Sequence, residues 1–288
     1  MIPAGFDYHA PRSLADAVKL LGSLGPDARL LAGGHSLLPM MKLRFATPSA
    51  LIDLGKIADL RGIAQAGNEI RIGAMTTEHA LHGSKLVAEK LPLLHEGVSQ
   101  IADPQVRYRG TIGGDISHGD PANDHPSLML ALDASFVLAG PKGERVVKAD
   151  GFFLGVYSTQ RADDEILTQI RIPIPAAGSG WSYSKLKRKT GDFATAAAAV
   201  LLQMKGGTVG AVSIALTNVG PTPIKARQAE QALVGKALND ASLNQAARLA
   251  MAACSPTSDP RGTPEYKTAM AGEMTRRALQ AALSRAKA

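Results

Sequence analysis

The feature that most constrains this chain is a pair of Gly-Gly loops set among ordinary α/β segments. Ala32-Gly-Gly-His-Ser36 follows an apolar run, 28–32, that reads as a short buried strand. It precedes an apolar stretch, 37–45, that reads as a short helix with Pro39 in its first turn. Thr111-Ile-Gly-Gly-Asp115 joins a strand-like segment to a loop. Glycines let consecutive backbone N–H groups approach an anion closely and form a nest. Ser36 adds a hydroxyl, and the N-terminus of the helix that follows adds partial positive charge. Taken singly, each loop reads equally as a structural turn. Taken together, with a Ser or Thr beside each, they point to a pyrophosphate held between two loops.

The segments around these loops alternate between helix and strand. Ser13, with Asp16 three residues on, caps a helix whose Leu14, Ala17, Val18 and Leu21 share one face, and Gly25-Pro26 stops it. A second buried strand covers 50–54, so the opening is a small α/β unit. Residues 60–66 and 69–72 form a hairpin around Gly67-Asn68. Helices follow over 78–82, capped by Thr76 or Thr77, and over 91–101, where Asp103-Pro104 ends the second. A helix covers 127–132, then strands cover 135–139, 143–148 and 165–172. Pro173, Pro175, Gly178 and Gly180 place a domain boundary near residue 176. Beyond it, 181–187, 194–205 and 208–218 read as antiparallel strands. Ala196 to Ala199 is ambiguous, since alanine favours helix and the following Val-Leu-Leu favours strand. The last third is helical, over 225–234, 242–254 and 264–285.

Composition narrows the functional classes. The 288 residues are 45% hydrophobic, which excludes wholesale disorder. The longest apolar run, 193–202, is too short to span a bilayer, and the first residues lack a secretory pattern, so the expectation is a soluble cytosolic protein. The single cysteine, Cys254, holds neither an internal disulfide nor an iron–sulfur cluster, and reads as a small buried apolar residue. The net charge of +7 allows a nucleic acid, an anionic ligand or an acidic partner. The densest basic stretch, Lys185-Leu-Lys-Arg-Lys189, lacks the aromatic neighbours expected of a nucleic-acid surface.

Common catalytic and nucleotide signatures are missing: there is no G-x-G-x-x-G after a strand, no P-loop, no H-E-x-x-H, no C-x-x-C and no G-x-S-x-G. His118, Asp120, Asp124 and His125 are of metal-ligand type, but they read better as a polar loop around Pro121 and Pro126. Asp124 also suits an acceptor for ribose hydroxyls. His35 is either a positioning residue or a catalytic or covalent-attachment residue. Met40 and Met41 read as packing residues.

The chain resembles the FAD-binding subunits of the xanthine dehydrogenase family of molybdenum hydroxylases. The resemblance runs over the whole chain. It is carried by Phe6-Asp-Tyr-His-Ala-Pro-Arg-Ser13, Leu31-Ala-Gly-Gly-His-Ser36, Leu51-Ile-Asp-Leu54 with Leu60-Arg-Gly-Ile63, Ile72-Gly-Ala-Met-Thr-Thr77, and Arg109-Gly-Thr-Ile-Gly-Gly-Asp115. It implies an α+β protein whose FAD-binding domain, 1–176, is like that of vanillyl-alcohol oxidase (PCMH-type). That domain would comprise two α/β subdomains, about 1–56 and 57–176. A C-terminal domain of antiparallel strands and helices would follow over 177–288.

The resemblance also implies the site. Leu31, Ala32, Gly33, Gly34, His35, Ser36 and Leu37, with Thr111, Ile112, Gly113, Gly114 and Asp115, would clasp the pyrophosphate of a non-covalent FAD. The family often carries Asn where this chain has Asp115, and Asp115 would contact ribityl or ribose hydroxyls. Asp124 matches a family aspartate. Lys185 would lie near the flavin ring and Phe193 against its face, with Leu167 near the adenine or flavin. Partners are implied too: a large molybdenum-cofactor subunit and a small subunit with two [2Fe–2S] clusters, assembled as a dimer of heterotrimers. Electrons would pass through FAD to a quinone or cytochrome acceptor. The implied reaction is aerobic oxidation of CO with water to CO2, with oxidation of an aromatic heterocycle or aldehyde as the alternative. A basic nucleic-acid-binding module is a further, non-enzymatic alternative. The expected location is cytoplasmic, with peripheral association at the inner face of the membrane left open.

Overall fold

The computed structural model describes residues 1–287. Its first unit is a three-stranded parallel sheet in which Ala50–Asp53 lies between Asp7–His9 and Ala28–Leu31. Helix Leu14–Leu24 covers it, with the Ser13 hydroxyl accepting from the Asp16 N–H at 3.1 Å. Ala17 and Leu21 bury against Ala28, Ala50 and Ile52. The strand Asp7–His9 has no clear apolar pattern. It forms because it completes the parallel edge beside 50–53.

The second unit is a five-stranded antiparallel sheet in the order Ile63–Ala66, Glu69–Gly73, Ile166–Pro173, Ser135–Gly140, Gly143–Lys148. Its last strand in sequence is its central one, so Ile166 and Leu167 end beside the segments that close the first unit. Helices pack on one face around Ile72, Leu94, Leu128, Phe136 and Ile170. Two helical segments before residue 110 differ from the sequence reading. Pro92 takes the first position of helix Pro92–Ser99 and separates it from Lys85–Lys90. Asp103-Pro104 opens a helix, Pro104–Arg109, because the Asp103 carboxylate accepts from the Val106 N–H at 3.0 Å.

The third unit is a four-stranded antiparallel sheet: Gly180–Leu186, Ala196–Lys205, Thr208–Thr217, Ile224–Lys225. The alanine run resolves as strand, and its alternation explains the residue choice. Ala197 and Ala199 face the core of the second unit. Ala196 and Ala198 face the helices Arg227–Leu233, Asp240–Ala252 and Pro264–Arg285. Both faces are covered, so the strand is apolar throughout, and the small side chains let helices approach from either side. No helix among the described residues is long and apolar enough to cross a membrane.

This layering sets a stability test. Ala198 is fully buried between sheet and helix. Ala198→Leu adds volume that neither layer can absorb. It is expected to lower unfolding free energy by ~1–3 kcal/mol in urea denaturation, whereas the same change at exposed Ala237 leaves it nearly unaltered.

Candidate cofactor site

Residues 32–37, Thr111, residues 113–115, Asp124, Leu167, Lys185 and Phe193 line one cleft of ≈ 550 Å³. That volume is within the usual range for small-molecule sites. Leu31 and Ile112 do not line it: Leu31 ends the strand Ala28–Leu31, and Ile112 is wholly buried in the core of the second unit. The cleft thus draws on all three units.

The first Gly-Gly loop is open toward this cleft. The N–H groups of residues 33–37 reach no protein acceptor among the described residues. The Ser36 hydroxyl makes no capping bond to the helix Leu37–Lys42. Successive unpaired donors of this kind form an anion nest. Gly34 holds φ +80, which a β-carbon opposes. His35 is exposed.

The second Gly-Gly motif is different. It opens a helix, Ile112–His118, where the sequence suggested a loop. The N–H groups of its first turn are already bonded: Ile112 to the Thr76 carbonyl at 3.1 Å, Gly113 to Ala74 at 2.9 Å, Gly114 to the Thr111 hydroxyl at 3.2 Å, Asp115 to the Thr111 carbonyl at 3.0 Å. Its glycines serve close packing. A β-carbon on Gly113 would overlap Ala74, and one on Gly33 would overlap the Arg109 carbonyl and come within 2.8 Å of Gly110 Cα. The two motifs therefore touch through backbone, but the run of successive free donors is on the first.

The cleft wall carries buried charge. Lys185 Nζ donates to Asp124 Oδ2 at 2.7 Å, with side chains 1% and 7% exposed. The Tyr183 hydroxyl donates to the other Asp124 oxygen. Asp124 is thus engaged within the protein on both oxygens, and the first residue of the basic stretch 185–189 points inward. Arg188 and Arg261 both donate to buried Asp192, at 2.8 and 2.7 Å. Burial pushes the Asp192 carboxyl up, but the two guanidinium groups outweigh it and hold it down to about 2. Arg261 also lies 5.3 Å from the Phe193 ring centroid, and this fixes a ring that is 45% exposed at the cleft edge.

Behind Asp115 lies a pair that sequence reasoning missed. Glu78 and His125 are both buried, with His125 Nε2 and Glu78 Oε2 2.8 Å apart. Burial opposes the imidazolium, yet the Glu78 carboxylate raises His125 to about 9. Glu78 is 47 positions away in sequence and reads there only as the first residue of a helix. Arg161 and Tyr157 also line the cleft without any motif to announce them. The Tyr157 ring lies tilted against His118, with centroids 4.8 Å apart. Among the described residues no group of three His, Cys, Asp or Glu side chains is placed to hold a metal ion.

A nest of unpaired donors in a cleft shared by three units defines a protein that binds an elongated anionic nucleotide. The chain belongs to the family described as FAD binding domain in molybdopterin dehydrogenase, which matches residues 4–175. Residues 181–282 match the CO dehydrogenase flavoprotein C-terminal domain. The chain is 56% identical over 285 residues to the carbon monoxide dehydrogenase medium chain of Hydrogenophaga pseudoflava, covering 99% of each. A solved structure of carbon monoxide dehydrogenase from that organism superposes with TM-score 0.99 at 58% identity, covering 100% of both chains. Quinoline 2-oxidoreductase from Pseudomonas putida 86 superposes with TM-score 0.94 at 36% identity, covering 99% of both.

The buried Lys185–Asp124 pair gives a direct test of the wall. Lys185→Met leaves Asp124 without its cation and is expected to cost ~3–5 kcal/mol in chemical denaturation. Adding Asp124→Asn to the same chain should recover most of that loss, which a merely packed lysine stem would not show.

Proposed function

We propose that this chain is the FAD subunit of a molybdenum hydroxylase that oxidises CO with water to CO2. In this reading it takes electrons from a small subunit with two [2Fe–2S] clusters, fed by a large molybdenum-cofactor subunit. It delivers them to an external quinone or cytochrome acceptor. The assembly is a dimer of heterotrimers in the cytoplasm, with room for peripheral association at the inner face of the membrane. The gap between the matched spans 4–175 and 181–282 supports a domain boundary near residue 176. It also supports an FAD-binding domain over 1–176, with subdomains about 1–56 and 57–176, followed by 177–288.

The observation that carries the cofactor reading is the row of unpaired N–H groups at residues 33–37. FAD, when bound, supplies the redox chemistry, accepting electrons singly and releasing them singly or in pairs. The chain's own residues bind and orient it. The nest and the Ser36 hydroxyl receive the pyrophosphate; residues 111–115 brace that loop from behind; Asp115 faces the hydroxyl-bearing part of the nucleotide. Lys185, held by Asp124, and Phe193, held by Arg261, bound the far end, with Leu167 as an apolar floor. The fold is shared with an enzyme of aromatic heterocycles at 36% identity, so it does not choose the substrate. The 56% identity over nearly the whole chain favours the carbon monoxide branch.

Purified native complex should release yellow flavin into the supernatant on acid precipitation, with FAD rather than FMN by chromatography. Colour in the pellet would reassign His35 as a covalent attachment site. Gly34→Val, which strains φ and meets the Leu38 side chain at 2.9 Å, should remove FAD while circular dichroism still reports a folded chain. The assembled complex should reduce a dye with CO; the same reduction by this chain alone would contradict the electron-transfer role.

A further inference from the structure

Asp115 is the one carboxyl in the cleft wall that the protein does not partner. Its Oδ1 is buried without a hydrogen-bond partner, although the residue lines the cleft. His125 and Glu78 face it from behind, bonded to each other at 2.8 Å. Asp124 faces it from the next helix and is bonded to Lys185 at 2.7 Å. Asp120 faces it from the intervening loop and accepts from the Ala122 N–H at 2.9 Å. Each buried cation near Asp115 is thus already matched to another carboxylate. An ionised Asp115 would add an unpaired buried charge: the one open donor on the groups nearest it, His125 Nδ1, makes no hydrogen bond to it or to any other described group.

Its position makes that charge matter. Asp115 follows Gly114, whose β-carbon would stand 3.3 Å from Ala32 Cβ, so it sits beside the nest at residues 33–37. An anion on the nest would face a carboxylate across a short, poorly hydrated gap. A carboxamide at this position would avoid the conflict, because it is neutral and donates a hydrogen bond.

We propose that Asp115 meets the bound nucleotide as a neutral carboxylic acid, donating a hydrogen bond as a carboxamide would, so that cofactor uptake retains a proton and alkaline pH favours release. This rests on the reading that the cleft takes FAD. Burial drives the same way, pushing the Asp115 carboxyl up to about 8 against the opposing pull of His125. The sign follows from linkage. The acid form binds, the anion resists binding, and affinity is full below pH 8 and falls as pH rises through it.

The test uses the assembled complex, stripped of flavin and titrated with FAD from pH 6.5 to 9.5. Wild type should lose affinity about tenfold per pH unit above pH 8. Asp115→Asn should bind FAD with no such slope until His125 loses its proton near pH 9. An equally steep slope in Asp115→Asn overturns the proposal while leaving the cofactor reading intact. Absence of FAD binding to wild type at every pH overturns the cofactor reading itself. Infrared spectra of wild-type holo-complex supply a readout independent of the variant's folding. A protonated-carboxyl C=O band should be present at pH 7 and should disappear when FAD is removed at pH 9.5. No such band at pH 7 overturns the proposal.

Discussion

The backbone approach of Gly33 to Arg109 and Gly110 is the constraint on which the cleft depends. No side chain fits between these segments, so the loop after strand Ala28–Leu31 is pressed against the residues just before helix Ile112–His118. The first unit is thereby fixed against the second with its loop donors facing outward into the cleft. The same closeness keeps Ala32 beside Gly114, and hence the nest beside Asp115. A wider separation would leave two unrelated loops and no shared site.

The two glycine motifs, similar in sequence, do different physical work. One exposes a run of N–H groups and has little else to satisfy them. The other spends its N–H groups on Ala74, Thr76 and Thr111 and so locks helix Ile112–His118 onto the second sheet. A nest of free donors is costly to leave dry, and it is tolerable because the cleft is open to water or an anion. The rigid motif supplies the wall against which the open one is held. That wall holds two matched buried pairs, Glu78 with His125 and Asp124 with Lys185, which fix its geometry.

Much of this was legible in the sequence. Both motifs, the opening α/β unit, the hairpin around Gly67-Asn68 and the strand-then-helix order after residue 180 follow from local pattern. What was not legible depends on contacts distant in sequence. Thr111-Ile-Gly-Gly looks like a loop because glycine disfavours helix, yet tertiary bonds to Ala74 and Thr76 hold it as a first helical turn. Ala196 to Ala199 favours helix by composition, and the strand expected over 194–205 rests on the Val-Leu-Leu that follows; that both faces are covered explains the alanines. His125 reads by its local pattern as part of a polar loop, while its partner Glu78 lies too far away in sequence to suggest a pair. Lys185 stood in a basic run whose direction into the protein only the strand pairing decides.

Residues 33–37 supply the free donors and residues 112–115 do not. Hydrogen–deuterium exchange read by mass spectrometry, on the full chain with and without FAD, tests this most directly, because exchange reports whether each amide is bonded. The account predicts fast exchange at 33–37 that slows strongly when FAD is added, and slow exchange at 112–115 in both conditions. Protection at 33–37 before any FAD is present, or FAD-dependent protection confined to 112–115, would contradict it.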